Sequence, residues 1–202
     1  MKDSYLTISN SSKGLFKVKG SKFISMAHPV NSEEDINSIL GKINKEYHDA
    51  RHICYAWIIQ GGGSKFRVHD DGEPSGTAGK PILGQINSKG LTNVLIIVIR
   101  YFGGILLGTG GLAHVYKAAA ADSLKDILIV EKYFYDTFSI HFGYHNLNLI
   151  LRTIEEFKGE MFDQDYNLVC NLKVKIRKSL SERFSETFGS TKGDNIEIRL
   201  MS

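Results

Sequence analysis

The placement of glycine is the strongest clue to the architecture of this chain. Thirteen of its twenty glycines fall between Gly61 and Gly111, and the other seven are scattered over the rest of the 202 residues. Glycine reaches backbone conformations that a Cβ forbids, at an entropic cost. A block this dense marks a segment where backbone geometry outranks side-chain packing. It divides into three pieces: Gly61–Gly63 closing a strand, a polar turn over Gly72–Gly79, and a strand-to-helix loop over Gly103–Gly111. Elsewhere glycine is sparse, which excludes a low-complexity chain. With 42% hydrophobic residues and no apolar run near the ~18 of a membrane helix, the chain reads as globular, with no membrane partner.

The pattern around the glycines is α+β. Between Lys13 and Ile24, Phe16 and Val18 alternate with Lys17 and Lys19, as in a half-buried strand. Ser32 followed by Glu33, Glu34 and Asp35 caps a helix carrying Ile36, Ile39, Leu40 and Ile43, ending near Tyr47. His52–Gln60 is a β-branched and aromatic strand with Phe66–His69 as its hairpin partner, and a short helix spans about 77–86. Val94–Ile99 is a continuous apolar run, predicting a strand buried on both faces. An Ala-rich helix is expected from Leu112 to about Asp126, and a further strand from Ile127. Beyond residue 132 the order becomes β-α-β-β-α-β: 137–142, 146–157, 160–165, 168–176, a helix to Phe188, and 195–200. That order predicts a ferredoxin-like domain. Two domains follow, 1–132 and 133–202.

Charge and cysteine usage narrow the setting. Residues 1–132 hold sixteen Lys and Arg against twelve Asp and Glu, whereas 133–202 hold nine against ten. Neither balance compels a polyanion, though local stripes still bind one. Cys54 and Cys170 lie in separate apolar runs and suit buried thiols of a reduced compartment. The start of the chain lacks an export pattern, so a cytoplasmic protein is expected.

Several residues invite chemistry. Gly108-Thr109-Gly110-Gly111-Leu112-Ala113 fits a dinucleotide fingerprint on paper, with Glu131 twenty-three residues after Gly108. Arg100–Leu107 separate it from the strand, however, where the true motif follows almost directly, so no nucleotide cofactor is expected. Two readings of the glycines remain: amides at the helix start seat an anion or a backbone phosphate, or the glycines let two elements pack closely. His69, Asp70, Asp71 and Glu73 suggest a metal cluster, but four such groups beside Gly72 and Pro74 read better as a hydrogen-bonded turn, and no metal is expected. His52 and Cys54 share a strand face, with nothing in the sequence to orient the histidine as a base. Lys173, Lys175 and Arg177 alternate on one sheet face, with Arg199 on the final strand, for phosphate contact or for pairing with Glu160, Asp163 or Asp165. Pairing is favoured.

Four segments carry a family resemblance: Lys19–Ile24, Ala50–Trp57, Asp70–Pro81, and Arg100–Gly104 continuing through Gly111. In this order they resemble the YigZ/IMPACT family over about residues 15–120, and the remainder is similar to the second domain of its bacterial members by pattern. The resemblance implies an N-terminal α+β domain like that of a small-subunit ribosomal protein and of domain four of elongation factor G. It implies a C-terminal ferredoxin-like domain similar to domain five of that factor. Eukaryotic members regulate translation by competing for an activator of a stress kinase; the bacterial members have no settled activity. The family usually carries arginine where this chain has His114, so an anion contact there is expected to be weaker at neutral pH.

The expected function is a non-enzymatic regulator or accessory factor of translation. RNA, the ribosome or a regulatory protein is its partner, bound through Arg51, His69, Asp70, Asp71, Glu73, Arg100, Gly103, Gly104, Gly108, Gly110, Gly111 and His114. Lys173, Lys175 and Arg177 form an auxiliary stripe. The competing expectation is a metal- or phosphate-dependent enzyme built on the Asp70–Glu73 turn and the Gly103–Gly111 loop.

Overall fold

In a computed structural model of the chain, which describes residues 3–60, 64–189 and 196–201, the chain divides into two compact units. One is Leu6–Glu131; the other joins Lys132 onward with the first residues of the chain. The expected strand terminator at Gly61–Gly63 and the expected start of the last strand at Asn195 lie outside the described residues.

Strands β1 (Ser4–Ile8) and β7 (Ile129–Tyr133) pair with each other. The larger unit is built on an antiparallel five-stranded sheet of β2 (Ser12–Val18), β3 (Ser21–Pro29), β4 (His52–Gln60), β5 (Ser64–His69) and β6 (Val94–Tyr101), in the order β2-β3-β6-β4-β5. β6 is central, and Val94–Ile99 is fully buried because helices cover both faces, as the unbroken apolar run predicts. Helix α1 (Glu33–Glu46) covers one face, with Ile36, Ile43 and Tyr47 against Ile24, Trp57, Ile97 and Ile99. Its start follows the expected logic: the Ser32 side chain accepts from Asp35 N at 3.1 Å. Helices α2 (Gly79–Ser88) and α3 (Gly108–Ser123) cover the other face, packing Ile82, Ile86, Val115 and Tyr116 onto Phe23, Cys54, Ala56 and Val98.

Two departures from expectation matter. The single strand expected over 13–24 is two strands, β2 and β3, reversing at Lys19 (φ 45°) and Gly20 (φ 75°), the left-handed pair of a tight hairpin. Helix α3 begins at Gly108, not Leu112, so half of the expected glycine loop is the helix's first turn.

The second unit has β8 (Tyr135–Gly143), α4 (Leu147–Glu156), β9 (Glu160–Tyr166), β10 (Val169–Arg177), α5 (Ser181–Gly189) and β11 (Glu197–Met201). Its sheet order, β11-β8-β10-β9, is antiparallel throughout and gives the ferredoxin-like βαββαβ topology. Ile150, Ile154, Phe184 and Phe188 cover one face of that sheet through contacts with Phe138, Ile140, Leu172 and Val174. The protein is therefore a two-domain α+β chain. Both cysteines are free and buried, Cys54 in the first unit and Cys170 in the second, and no described helix is long and apolar enough to cross a membrane.

The start of the chain, expected within the first domain, packs with the second. Asp3 accepts from Arg177 Nε and Nη2 at 2.7 and 2.9 Å, its carbonyl accepts from Phe134 N, and Tyr5 stacks on Phe134. Hydrogen bonds from Arg177, then from Ser179, hold the Asp3 carboxyl well below the usual carboxylate range. A carboxylate with a depressed folded pKa contributes stability above its unfolded pKa, and that contribution drains away as pH falls below about 4. Thermal melts are expected to show a steeper loss below that pH in the parent chain than in Asp3→Asn, with the two converging as Asp3 becomes protonated.

Candidate functional site

Sheet register assembles the site. In the β4–β6 ladder His52 stands opposite Arg100, and in the β3–β6 ladder Arg100 stands opposite Phe23. Arg100 is thus an arginine on the core-facing side of a central strand, and a buried guanidinium requires a partner. Its Nη1 reaches Glu73 Oε1 at 2.6 Å, with the two side chains only 6% and 3% exposed. Tyr116, from α3, donates to the same oxygen at 2.8 Å. Burial holds the Tyr116 phenol far above its usual pKa, so it remains a donor. The guanidinium also lies over the Phe23 and Phe102 rings, at 5.4 and 5.5 Å.

The turn that delivers Glu73 is shaped by its own acids. Asp70 accepts backbone N–H bonds from Gly76, Ala78 and Gly79 at 2.8–3.0 Å, drawing the chain around itself. Burial acts to raise the Asp70 pKa, but those donors outweigh it and the net shift is downward. Asp71, in the left-handed region at φ 42°, accepts from Ile53 N at 2.6 Å and lies 3.6 Å from His69. The three carboxylates therefore have separate structural partners. Among the described residues, no group of three or more His, Cys, Asp or Glu is placed to hold a metal ion.

His52 is oriented after all. Its Nδ1 donates to the Asp71 carbonyl at 2.7 Å, since a carbonyl can only accept, and Nε2 lies 3.9 Å from Glu73 Oε1. Cys54 is enclosed in the core: burial pushes its thiol up to about 12, and it donates to the Asp70 carbonyl at 3.0 Å.

Beside this network lies a cavity of about 570 Å³. Pro74, Phe102, Leu106, Leu107 and Leu112 form its apolar wall, and Arg51, His52, Glu73 and Arg100 supply its charged and polar part. Gly108 and Thr109, the start of α3, complete it. Arg51 is exposed, and its side chain has no ion-pair partner among the described residues.

The glycines divide by role. A Cβ on Gly103 would sit 1.9 Å from the Gly20 carbonyl carbon, so close packing of two backbones demands glycine there. Gly104 and Gly108 adopt φ +88° and +69° in open space. Gly110 is helical, and a side chain there would meet nothing within 4 Å, so neither conformation nor packing calls for glycine; Gly111 meets only the Leu107 side chain. Close packing thus explains Gly103 and leaves the first turn of α3 unexplained.

The remaining expected residues disperse. His69 sits at the end of β5 beside the Tyr55 ring, and His114 is on α3 without lining the cavity. In the second unit Lys173 pairs with Asp163, Arg177 with Asp3, and Arg199 with Glu197, while Lys175 lies over Phe162. Three of the four cations on that face are thus ion-paired, and only Lys173 pairs with one of the expected hairpin acids. Sequence reasoning missed Tyr116, Phe102 and Leu107. A tyrosine on the buried stripe of an Ala-rich helix was the available signal, because a buried phenol needs a partner.

A five-stranded α+β domain with an ion pair buried beside a glycine-started helix, followed by a ferredoxin-like domain, defines the class of protein. Residues 19–124 match the Impact N-terminal domain. The chain is 32% identical to the IMPACT family member YigZ of Escherichia coli (strain K12), over 84% of each protein. It is 32% identical to an IMPACT family member of Haemophilus influenzae, covering 92% of this chain and 91% of the relative. A crystal structure described only as that of a hypothetical protein superposes over 100% of this chain and 99% of the other, with a TM-score of 0.74 at 28% identity. The chain belongs to the IMPACT family.

Proposed function

We propose that the protein is a non-enzymatic accessory factor of translation whose N-terminal unit contacts ribosomal RNA. The observation that carries this reading is the tip of the β2–β3 hairpin. Lys17, Lys19 and Lys22 are all exposed there, and no Asp or Glu occurs from Ser4 to Ser32. None of the three makes an ion pair among the described residues. The Gly20–Gly103 contact holds this basic tip against the Phe102–Gly108 loop, where Phe102, Ile105 and Leu106 are exposed, Leu106 by 84%. Cations beside exposed apolar side chains suit a surface that engages both phosphates and bases or protein. The family's expected place in translation supplies such a partner.

Cosedimentation with ribosomes over a salt series tests the proposal. Affinity should fall as salt rises. In a Lys17→Glu, Lys19→Glu, Lys22→Glu variant, every lysine–phosphate pair removed should flatten the log–log slope by about 0.7–0.9. Absence of binding at low salt, or a triple variant that binds like the parent, overturns it.

A further inference from the structure

We propose that the cavity at the start of α3 is a binding site for a small organic anion: one phosphate or carboxylate carried on an apolar or aromatic body. Its volume of about 570 Å³ falls within the range of small-molecule sites, which combine apolar walls with a few convergent polar groups. The charges favour an anion. Glu73 is matched by Arg100, which leaves Arg51 as a cation without a carboxylate among the described residues. Helix α3 adds to this: its N-cap, Leu107, makes no side-chain hydrogen bond, and its first turn contains no acid. The N–H groups and positive dipole end of a sixteen-residue helix are therefore uncompensated by side chains.

Arg100 also borders the cavity, with Nη1 held by Glu73 and with an enclosed Nε that has no hydrogen-bond partner among the described residues. Gly108 and Thr109 present the backbone at the same wall, with open space where a Gly108 side chain would be. The anionic group sits between Arg51, His52 and these amides, and the body rests on Phe102, Leu107 and Leu112. This site needs neither ribosome nor RNA, so it stands or falls apart from the proposed function.

The test is titration of the full chain with phenyl phosphate and with benzoate up to about 10 mM, followed by NMR. Inorganic phosphate and benzyl alcohol provide the charge-only and body-only controls. Single-site saturation by at least one probe is expected, with shifts centred on the Gly108 and Thr109 amides and the His52 ring. Both controls should bind at least about tenfold more weakly than the better probe. Arg51→Ala should weaken binding about tenfold, and Leu106→Glu should also weaken it. Both side chains are exposed, so the fold tolerates these changes. Failure of both probes to saturate, shifts centred elsewhere, or unchanged binding by Arg51→Ala overturns the proposal.

Discussion

Glu73→Ala is expected to destabilise the N-terminal unit by about 3–5 kcal/mol, the cost of stranding one partner of a buried ion pair. The substitution leaves the Arg100 guanidinium in a site where its side chain is 6% exposed, with no carboxylate, and removes the acceptor of the Tyr116 hydroxyl. Trp57, the chain's only tryptophan and buried on the neighbouring strand β4, reports urea unfolding of this unit by fluorescence. Arg100→Met is expected to be costly too, since it orphans Glu73. The double variant should cost less than the sum of the singles by about 0.5–3 kcal/mol, because the penalty of each arises largely from the other's unpaired charge. A Glu73→Ala cost below about 1 kcal/mol, the value of an exposed pair, would show that water reaches the pair.

The second large effect concerns a residue that resembles a ligand loop but acts as a spacer. Gly103→Ala places a Cβ 1.9 Å from the Gly20 carbonyl carbon and 2.3 Å from Ser21 N, both backbone atoms that cannot swing away. The β2–β3 hairpin and the loop after β6 must separate, breaking the Gly103 N–H to Ser21 Oγ bond at 3.1 Å. A loss of about 3 kcal/mol is expected, at the upper end of overpacking penalties. Chemical denaturation reads it. Gly104→Ala, in open space at φ +88°, should cost about 1 kcal/mol through backbone strain alone. Equal losses in the two variants would refute the contact.

These residues show where sequence reasoning stops. Helix α1 was legible because its cap, its acids and its apolar spacing lie within one window of chain. The ferredoxin-like order was legible for the same reason, each hairpin and helix carrying its own local pattern. Strand β3 was not. Its burial pattern is almost continuous over Phe23–Ala27 because β2 and β6 flank it and helices cover both faces, so the alternation that marks β2 disappears. The start of α3 was hidden because glycines read as loop, and only packing of Leu112, Val115 and Tyr116 onto the sheet recruits them into a helix.

The candidate site divides in the same way. The polar turn over Asp70–Gly76 was readable as a turn, since Asp side chains bond amides a few residues away, and Asp70 does so. Glu73 within that turn was indistinguishable from its exposed neighbours. It is buried because the register of β4 against β6 brings Arg100 beside it and α3 brings Tyr116. Local sequence thus carries the α+β class, the capped start of α1 and the both-faces burial of β6. Tertiary structure alone decided which glycine is a spacer, which acid is buried and where a cavity opens. Caps, turns and periodicity act over a few residues of chain. A buried ion pair and a backbone contact join residues 27 and 83 positions apart, which only the folded sheet brings together.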